Sequence, residues 1–252
     1  MSGWTGSGGV QRRTGDGKGK HVIKSEDRNH LVDALRQLVV RKSEDRCWSR
    51  EPALRTIDCV LSLNRNYKAF VAPRLDRFES RFPHVTSVAN LQKAIAGYPS
   101  AHAFVRDTLC YNHADRAETL RGVVAKLAVI AGTGAAEEQC TRLEQWAADP
   151  SKGDLTASNV KGFGVGGFQY LRMLFGANTV KPDIHICRWV SCRIGREVSP
   201  IEALRLLEDA APFAQVNLRD TDTTIWEARS GAPRHATPPQ HRRRPARCAD
   251  DP

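Results

Sequence analysis

From residue 29 to residue 229 the apolar residues return every three to four positions and show no sustained alternation. That spacing lines one face of a helix, whereas a half-buried strand needs a period of two. The fold class expected is therefore all-α. Leu31, Val32, Leu35, Leu38 and Val39 mark a first helix, and the charged residues 40–51 read as a loop. Residues 52–66 begin with Pro52, which suits a first helical turn, and carry Leu54, Ile57 and Leu61 on one face. Residues 67–82 continue in helical spacing with a break or shift expected at Pro73. Further helices are expected over residues 86–97, 99–113, 115–131 and 135–147, punctuated by Gly97, Gly132 and Gly134. Residues 184–194, 200–211 and 214–229 complete the pattern, with Trp226 placed as a core residue rather than a stacking platform.

The 252 residues suit one large or two small domains, and a hydrophobic content of 40% is enough for a packed core. Residues 1–20 are rich in Gly and Ser and are expected to be a disordered basic tail. Residues 231–252 form a loose Pro/Arg-rich tail, which leaves residues 21–230 as the folded domain. Arg12, Arg13, Lys18, Lys20 and Lys24 against Asp16 give residues 1–24 a charge of +4. Five arginines against Asp250 and Asp251 give residues 234–252 a charge of +3, so only about +3 of the total +10 lies between. Basic tails suit non-specific attraction to phosphates, and solubilising tails would look the same.

No apolar run approaches the roughly 20 residues of a membrane span, and no secretion signal is visible at the start. Seven scattered cysteines, an odd number with no CxxC pair, read as thiols in a reducing cytoplasm. The run Cys110-Tyr111-Asn112-His113 invites a catalytic or metal reading, but no second cysteine or paired acid accompanies it. No metal site is expected.

The densest pattern lies in residues 154–190. Glycines at 162, 164, 166 and 167 form a turn, and Phe168, Leu171, Leu174 and Phe175 line the helix that follows. Gly176 stands where a helix ends in a left-handed residue, and Pro182-Asp183 opens the next helix. Glycine lets a backbone approach a phosphate, and a helix starting near Gly164 points free N–H groups at that anion. Such contacts hold a duplex in register without reading its sequence. Gly162, Gly164 and Gly167 also spell the GxGxxG of dinucleotide sites, yet the polar residues 151–159 cannot be the strand which that motif follows. A plain turn joining two helices is the third reading.

Val160 to Gly164 (VKGFG) and Pro182 to Ile186 (PDIHI) together resemble the helix-hairpin-helix DNA glycosylase superfamily. The first matches its LPGVG-type hairpin and the second its VDTHV-type acid segment. The resemblance is tight over residues 154–190 and extends weakly to most of residues 30–230. It implies two helical lobes of the HhH-GPD type with a DNA-binding cleft between them, one lobe combining both chain ends. It further implies an enzyme that flips a damaged or modified base out of double-stranded DNA and hydrolyses its N-glycosidic bond. Asp183, His185 and Arg188 fall on the family's Asp, His and Arg. Asp183 would be the catalytic acid. Lys161, Gly162, Phe163, Gly164, Val165, Gly166 and Gly167 would hold the DNA backbone, with His185 and Arg188 in support. Leu63, Asn64 and Arg65, at the end of the second helix, would wedge into the gap left by the flipped base.

A carboxylate beside C1′ can stabilise oxocarbenium charge and take a proton from water. Asp also makes a good N-cap, a role that Asp183 could fill as well or instead. Bifunctional members add a lysine at the position occupied here by Gly166, so a monofunctional enzyme that leaves an abasic site is expected. Cys187, Cys192 and Cys248 alone follow Asp183, at the wrong spacing for the family's iron–sulfur cluster, and no cofactor is expected. The resemblance leaves base repair and defence against phage DNA carrying glucosylated cytosine both open. It implies a cytoplasmic, nucleoid-associated monomer. The alternative is a non-catalytic helix-hairpin-helix DNA-binding module.

Overall fold

The computed structural model describes residues 24–40, 50–149 and 160–229. The basic N-terminal tail up to residue 23, most of the charged loop, the segment before the hairpin and the C-terminal tail lie outside the described residues, with Cys47 and Cys248. Every element among the described residues is helical: α1 (Ser25–Gln37), α2 (Pro52–Leu61), a π-helical turn (Tyr67–Val71), α3 (Ala72–Arg81), α4 (Val88–Ala96), α5 (Ala101–Leu109), α6 (Ala114–Ala131), α7 (Ala136–Ala148), α8 (Val165–Leu174), α9 (Ile184–Ile194), α10 (Pro200–Ala214) and α11 (Leu218–Arg229). The all-α expectation is met, and no single described helix is long and apolar enough to cross a membrane.

The helix ends differ from the periodic reading for local reasons. α1 starts at Ser25, ahead of the apolar stripe, because Glu26 and Asp27 suit the positive first turn. It stops at Gln37, leaving Val39 exposed. α2 ends at Leu61 and the chain turns sharply, with Asn64 in the left-handed region at φ 61°. Pro73 breaks nothing: it sits in the first turn of α3, where its missing N–H is no loss, and the irregularity falls just ahead as the π turn. α5 stops four residues short of the expected end because Cys110 takes the left-handed conformation at φ 49°. α10 passes Pro212 and ends when Gln215 goes left-handed at φ 57°. α11 accordingly starts late, at Leu218.

The helices bury two separate apolar cores. The larger is built from α2 to α8, with α6 at its centre in contact with α2, α4, α5 and α7. Phe78, Phe104, Leu91, Leu109, Leu127 and Leu143 are fully buried in it. The smaller joins α1 to α9, α10 and α11 through Leu31, Leu35, Ile186, Trp189, Leu207 and Ile225. The first described helix thus shares a core with the last three, and the helices between form the other core. Ile225 takes the core place expected of Trp226, which is only half-buried.

α8 belongs to the larger core and α9 to the smaller, so the α8–α9 connection passes from one to the other. Gly176, at φ 95°, ends α8 in a Schellman motif: its N–H donates to the Met173 carbonyl (2.9 Å) and the Ala177 N–H to the Arg172 carbonyl (3.0 Å). Asn178 Oδ1 then accepts from the Leu218 N–H at 2.7 Å, and the Thr179 hydroxyl donates to Gln169 Oε1 at 3.0 Å. This connection is therefore held to both α8 and α11.

Phe104 packs edge-on against Phe78 and Tyr98, with ring centroids 6.1 and 5.4 Å away. Phe104→Ala is expected to lower unfolding stability by about 3–5 kcal/mol, the usual cost of emptying a buried aromatic site. Urea unfolding followed by circular dichroism checks this, from a native spectrum that is predominantly helical.

Candidate functional site

The glycine turn docks on α6. Gly162 lies at φ 77°, a conformation costly for a residue with a Cβ, and the Thr119 hydroxyl of α6 donates to the Lys161 carbonyl at 2.8 Å. Phe163 is buried, while Lys161, Gly162 and Gly164 are exposed. The Lys161 ammonium meets Asp115 at 2.9 Å on the surface, which holds the Asp115 carboxyl below its ordinary range. Gly164 is the N-cap of α8 and brings no side chain to the first-turn N–H groups; a Cβ built on it would touch nothing within 4 Å. The start of α8 is consequently open, with donors that the helix itself cannot satisfy.

Gly167 makes a different kind of contact. A Cβ there would lie 3.0 Å from Leu63 and 3.0–3.1 Å from the Phe163 ring, too close to fit without movement. The Cys59 thiol donates to its carbonyl at 3.2 Å, and full burial pushes that thiol's pKa up. α2 and α8 thus touch at a glycine, and the turn after α2 is laid against the hairpin. Arg116 of α6 secures that turn by donating to the Leu63 carbonyl at 3.1 Å.

The candidate wedge residues share this turn but point differently. Leu63 is half-buried against the hairpin, and Asn64 is the exposed tip. Arg65 folds back: it donates to the Tyr111 hydroxyl (3.3 Å) and lies over the Phe70 ring (5.2 Å). The run at residues 110–113 proves structural. Cys110 ends α5, Tyr111 packs on Phe70, His113 caps α6, and Asn112 pairs with His102 at 2.8 Å. No cluster of metal-ligating side chains occurs among the described residues.

Asp183 is half-buried at the N-cap of α9, where its Oδ1 accepts from the N–H groups of His185 (2.8 Å) and Ile186 (3.2 Å). Among the described residues no hydrogen bond reaches its other oxygen. One oxygen is committed to the helix, and capping asks nothing of the second. The acid segment lies beside the hairpin: the position of a Cβ on Gly166 is 3.9 Å from the Pro182 carbonyl oxygen. His185 is half-buried one residue into α9, and Arg188 is exposed on the same helix.

Five further residues come to this region without having been singled out by motif. Asp58 of α2 is fully buried and accepts three hydroxyls: Ser62 (2.9 Å), Tyr67 (3.1 Å) and Tyr170 (3.1 Å). Burial pushes its pKa up to about 6 against the lowering effect of those donors. Tyr67 comes from the π turn and Tyr170 from α8, both half-buried. The Lys181 ammonium sits over the Tyr170 ring, 4.4 Å from its centre. Asp222 of α11 accepts from the Lys181 N–H at 2.8 Å and is packed round by protein at its carboxyl, although the residue as a whole is half-exposed. Burial and the nearby Asp183 charge push its pKa up to about 7. An acid inside the apolar run 52–61 was a visible signal for Asp58, since carboxylates are rarely buried unpartnered. Asp222 lies in a polar run that offered no such signal.

Residues 28–230 match the family described as a domain of unknown function (DUF8548). The chain belongs to that family. The match covers α2 to α11 and all but the first residues of α1, so hairpin, acid segment and Asp58 cluster all fall inside the family's domain. No curated protein and no solved structure matches the chain.

The Asp58 carboxyl is harder to ionise in the fold than in the unfolded chain. Its effect on stability is therefore most favourable below pH 3.8, and is lost as pH rises through about 6. Relative to Asp58→Asn, which cannot ionise, the native protein should lose up to about 3 kcal/mol of stability between pH 4 and pH 7. Chemical denaturation of both proteins at several pH values measures the difference, which would stay flat if Asp58 were not desolvated.

Proposed function

We propose that this protein is a monofunctional DNA glycosylase with the two-lobed HhH-GPD architecture, and that DNA lies across the junction of its two cores. The observation that carries this reading is that an open helix start lies beside a half-committed carboxylate, since a side chain begun at Gly166 would reach the Pro182 carbonyl oxygen. A phosphate at the N-terminus of α8 would be held by backbone donors and the helix dipole, without base recognition. Leu63, set against the hairpin at Gly167, and Asn64, at the exposed tip of the same turn, would fill the gap left by a flipped base.

In the reaction the C1′–N bond breaks and its electron pair leaves with the base. Water oxygen bonds to C1′, the water proton passes to Asp183, and the base nitrogen takes up a proton from solvent. Asp183 would act through the oxygen that is not capping α9. Its charge stabilises the oxocarbenium-like sugar. Gly166 provides no amine for a covalent intermediate, so a sugar–enzyme Schiff base is not part of this scheme. Excision of damaged bases in repair and excision of modified bases from phage DNA both fit. A non-catalytic DNA-binding module is the second reading, favoured by the capping bonds of Asp183.

Asp183→Asn separates the two. The amide oxygen can still accept from His185 and Ile186, so the melting temperature should change little. Base release from modified duplexes should fall at least about a hundredfold, while DNA affinity persists. Full activity in the folded variant would move the catalytic centre elsewhere.

Gly164→Asp places a negative charge at the open start of α8, where no protein atom resists it. Duplex affinity should drop tenfold or more in an electrophoretic or anisotropy titration, with the thermal melt kept. Unchanged affinity would mean that this helix start does not contact the backbone.

A further inference from the structure

Lys181 is the only cation between Phe175 and Asp183, and three observations fix where its charge sits. Its backbone N–H is held by Asp222 from α11. Its ammonium rests on the Tyr170 ring, 4.4 Å from the centre. Tyr170 is itself anchored, because its hydroxyl donates to the fully buried Asp58. The charge is therefore mounted on an anchored aromatic face, two residues from Asp183 and at the passage from one core to the other.

Aromatic faces attract cations, which is how a flat site can favour positively charged alkylated bases. On Tyr170 that attraction is already taken by Lys181, and a second positive charge a few ångströms away would be repelled. Asp183 alone would welcome any cation; Lys181 offsets it. An uncharged base with a carbonyl oxygen gains instead, because the ammonium donates a charge-assisted hydrogen bond. The gain grows as the C1′–N bond breaks, since the departing base carries the electron pair away and becomes more negative.

We infer that Lys181, mounted on Tyr170 and two residues along the chain from Asp183, makes the site select uncharged, carbonyl-bearing bases over cationic alkylated ones. Lys181 is on this view a specificity-determining residue that contacts the base, and the inference rests on the glycosylase reading. It narrows the substrate to oxidised, deaminated or C5-modified bases and sets aside alkylated purines that carry a fixed charge.

The test uses the full chain and four duplexes, each with one 7-methylguanine, 8-oxoguanine, uracil or 5-(glucosyloxymethyl)cytosine. Single-turnover base release is measured for the native protein, Lys181→Met and Lys181→Arg. The native protein should release at least one of the three uncharged bases and should release 7-methylguanine at least tenfold more slowly. Lys181→Met should lose tenfold or more on the uncharged base and narrow the gap to 7-methylguanine, and Lys181→Arg should recover most of the loss. Affinity for a duplex with a stable abasic-site analogue should stay constant across the three proteins, as a merely structural role of Lys181 would not predict. Comparable release of 7-methylguanine by the native protein, or full activity of Lys181→Met on the uncharged base, overturns the inference and leaves the glycosylase reading standing. Release of none of the four bases by the folded native protein overturns the glycosylase reading, and this inference with it.

Discussion

The close approach of α2 and α8 at Gly167 is the contact on which the candidate site depends. With no Cβ at that position, Leu63 and the Phe163 ring close over the backbone, and Cys59 reaches the Gly167 carbonyl. The same approach brings the Tyr170 hydroxyl, one turn further along α8, within 3.1 Å of Asp58 on α2. Since Tyr170 carries Lys181 on its face, the α8–α9 connection is indirectly registered against α2 as well. A side chain at 167 would require Leu63 or the Phe163 ring to give way, which disturbs the hairpin and the turn at 63–65 together.

Polar groups in this region are arranged so that burial is compensated rather than avoided. Asp58 is desolvated but accepts three hydroxyls, and it stands among side chains that would otherwise make an ordinary apolar seam. Removing any one partner of such a network leaves a buried group short of a bond, at a cost of about 1–3 kcal/mol, which keeps the tyrosines in place. Asp222 plays a comparable part for the connection, pinning the backbone at Lys181. The raised pKa of Asp222 reflects its burial first and the nearby Asp183 charge second.

Much of the site was legible as chemistry but not as geometry. Gly176 could be read as a helix-ending residue because few other residues tolerate positive φ, and it adopts φ 95°. Asp183 could be read as a cap from its place before an apolar run, and it caps α9. The turn at Leu63–Arg65 was legible as a polar helix end, yet the three side chains diverge. Arg65 is drawn to Tyr111, far along the chain, and to Phe70, within the π turn. The parts of the fold that local sequence sets least firmly, the helix ends, were the ones displaced.

The sequence by itself determined that the chain is helical, roughly where each helix lies, and which residues cap and turn the helices. Those properties follow from periodicity and from the backbone preferences of Gly, Pro, Asn and Asp, all of which act over a few residues. Only the tertiary structure decided that α1 packs with α9 and α10 rather than with its neighbour α2. It also decided that Asp58, Tyr67, Tyr170, Lys181 and Asp222 meet. These residues are separated by up to 164 positions in the chain, from 58 to 222, and no local pattern links them. What joins them is the burial of two apolar faces and the need of each desolvated polar group for a partner, a condition settled by packing between helices.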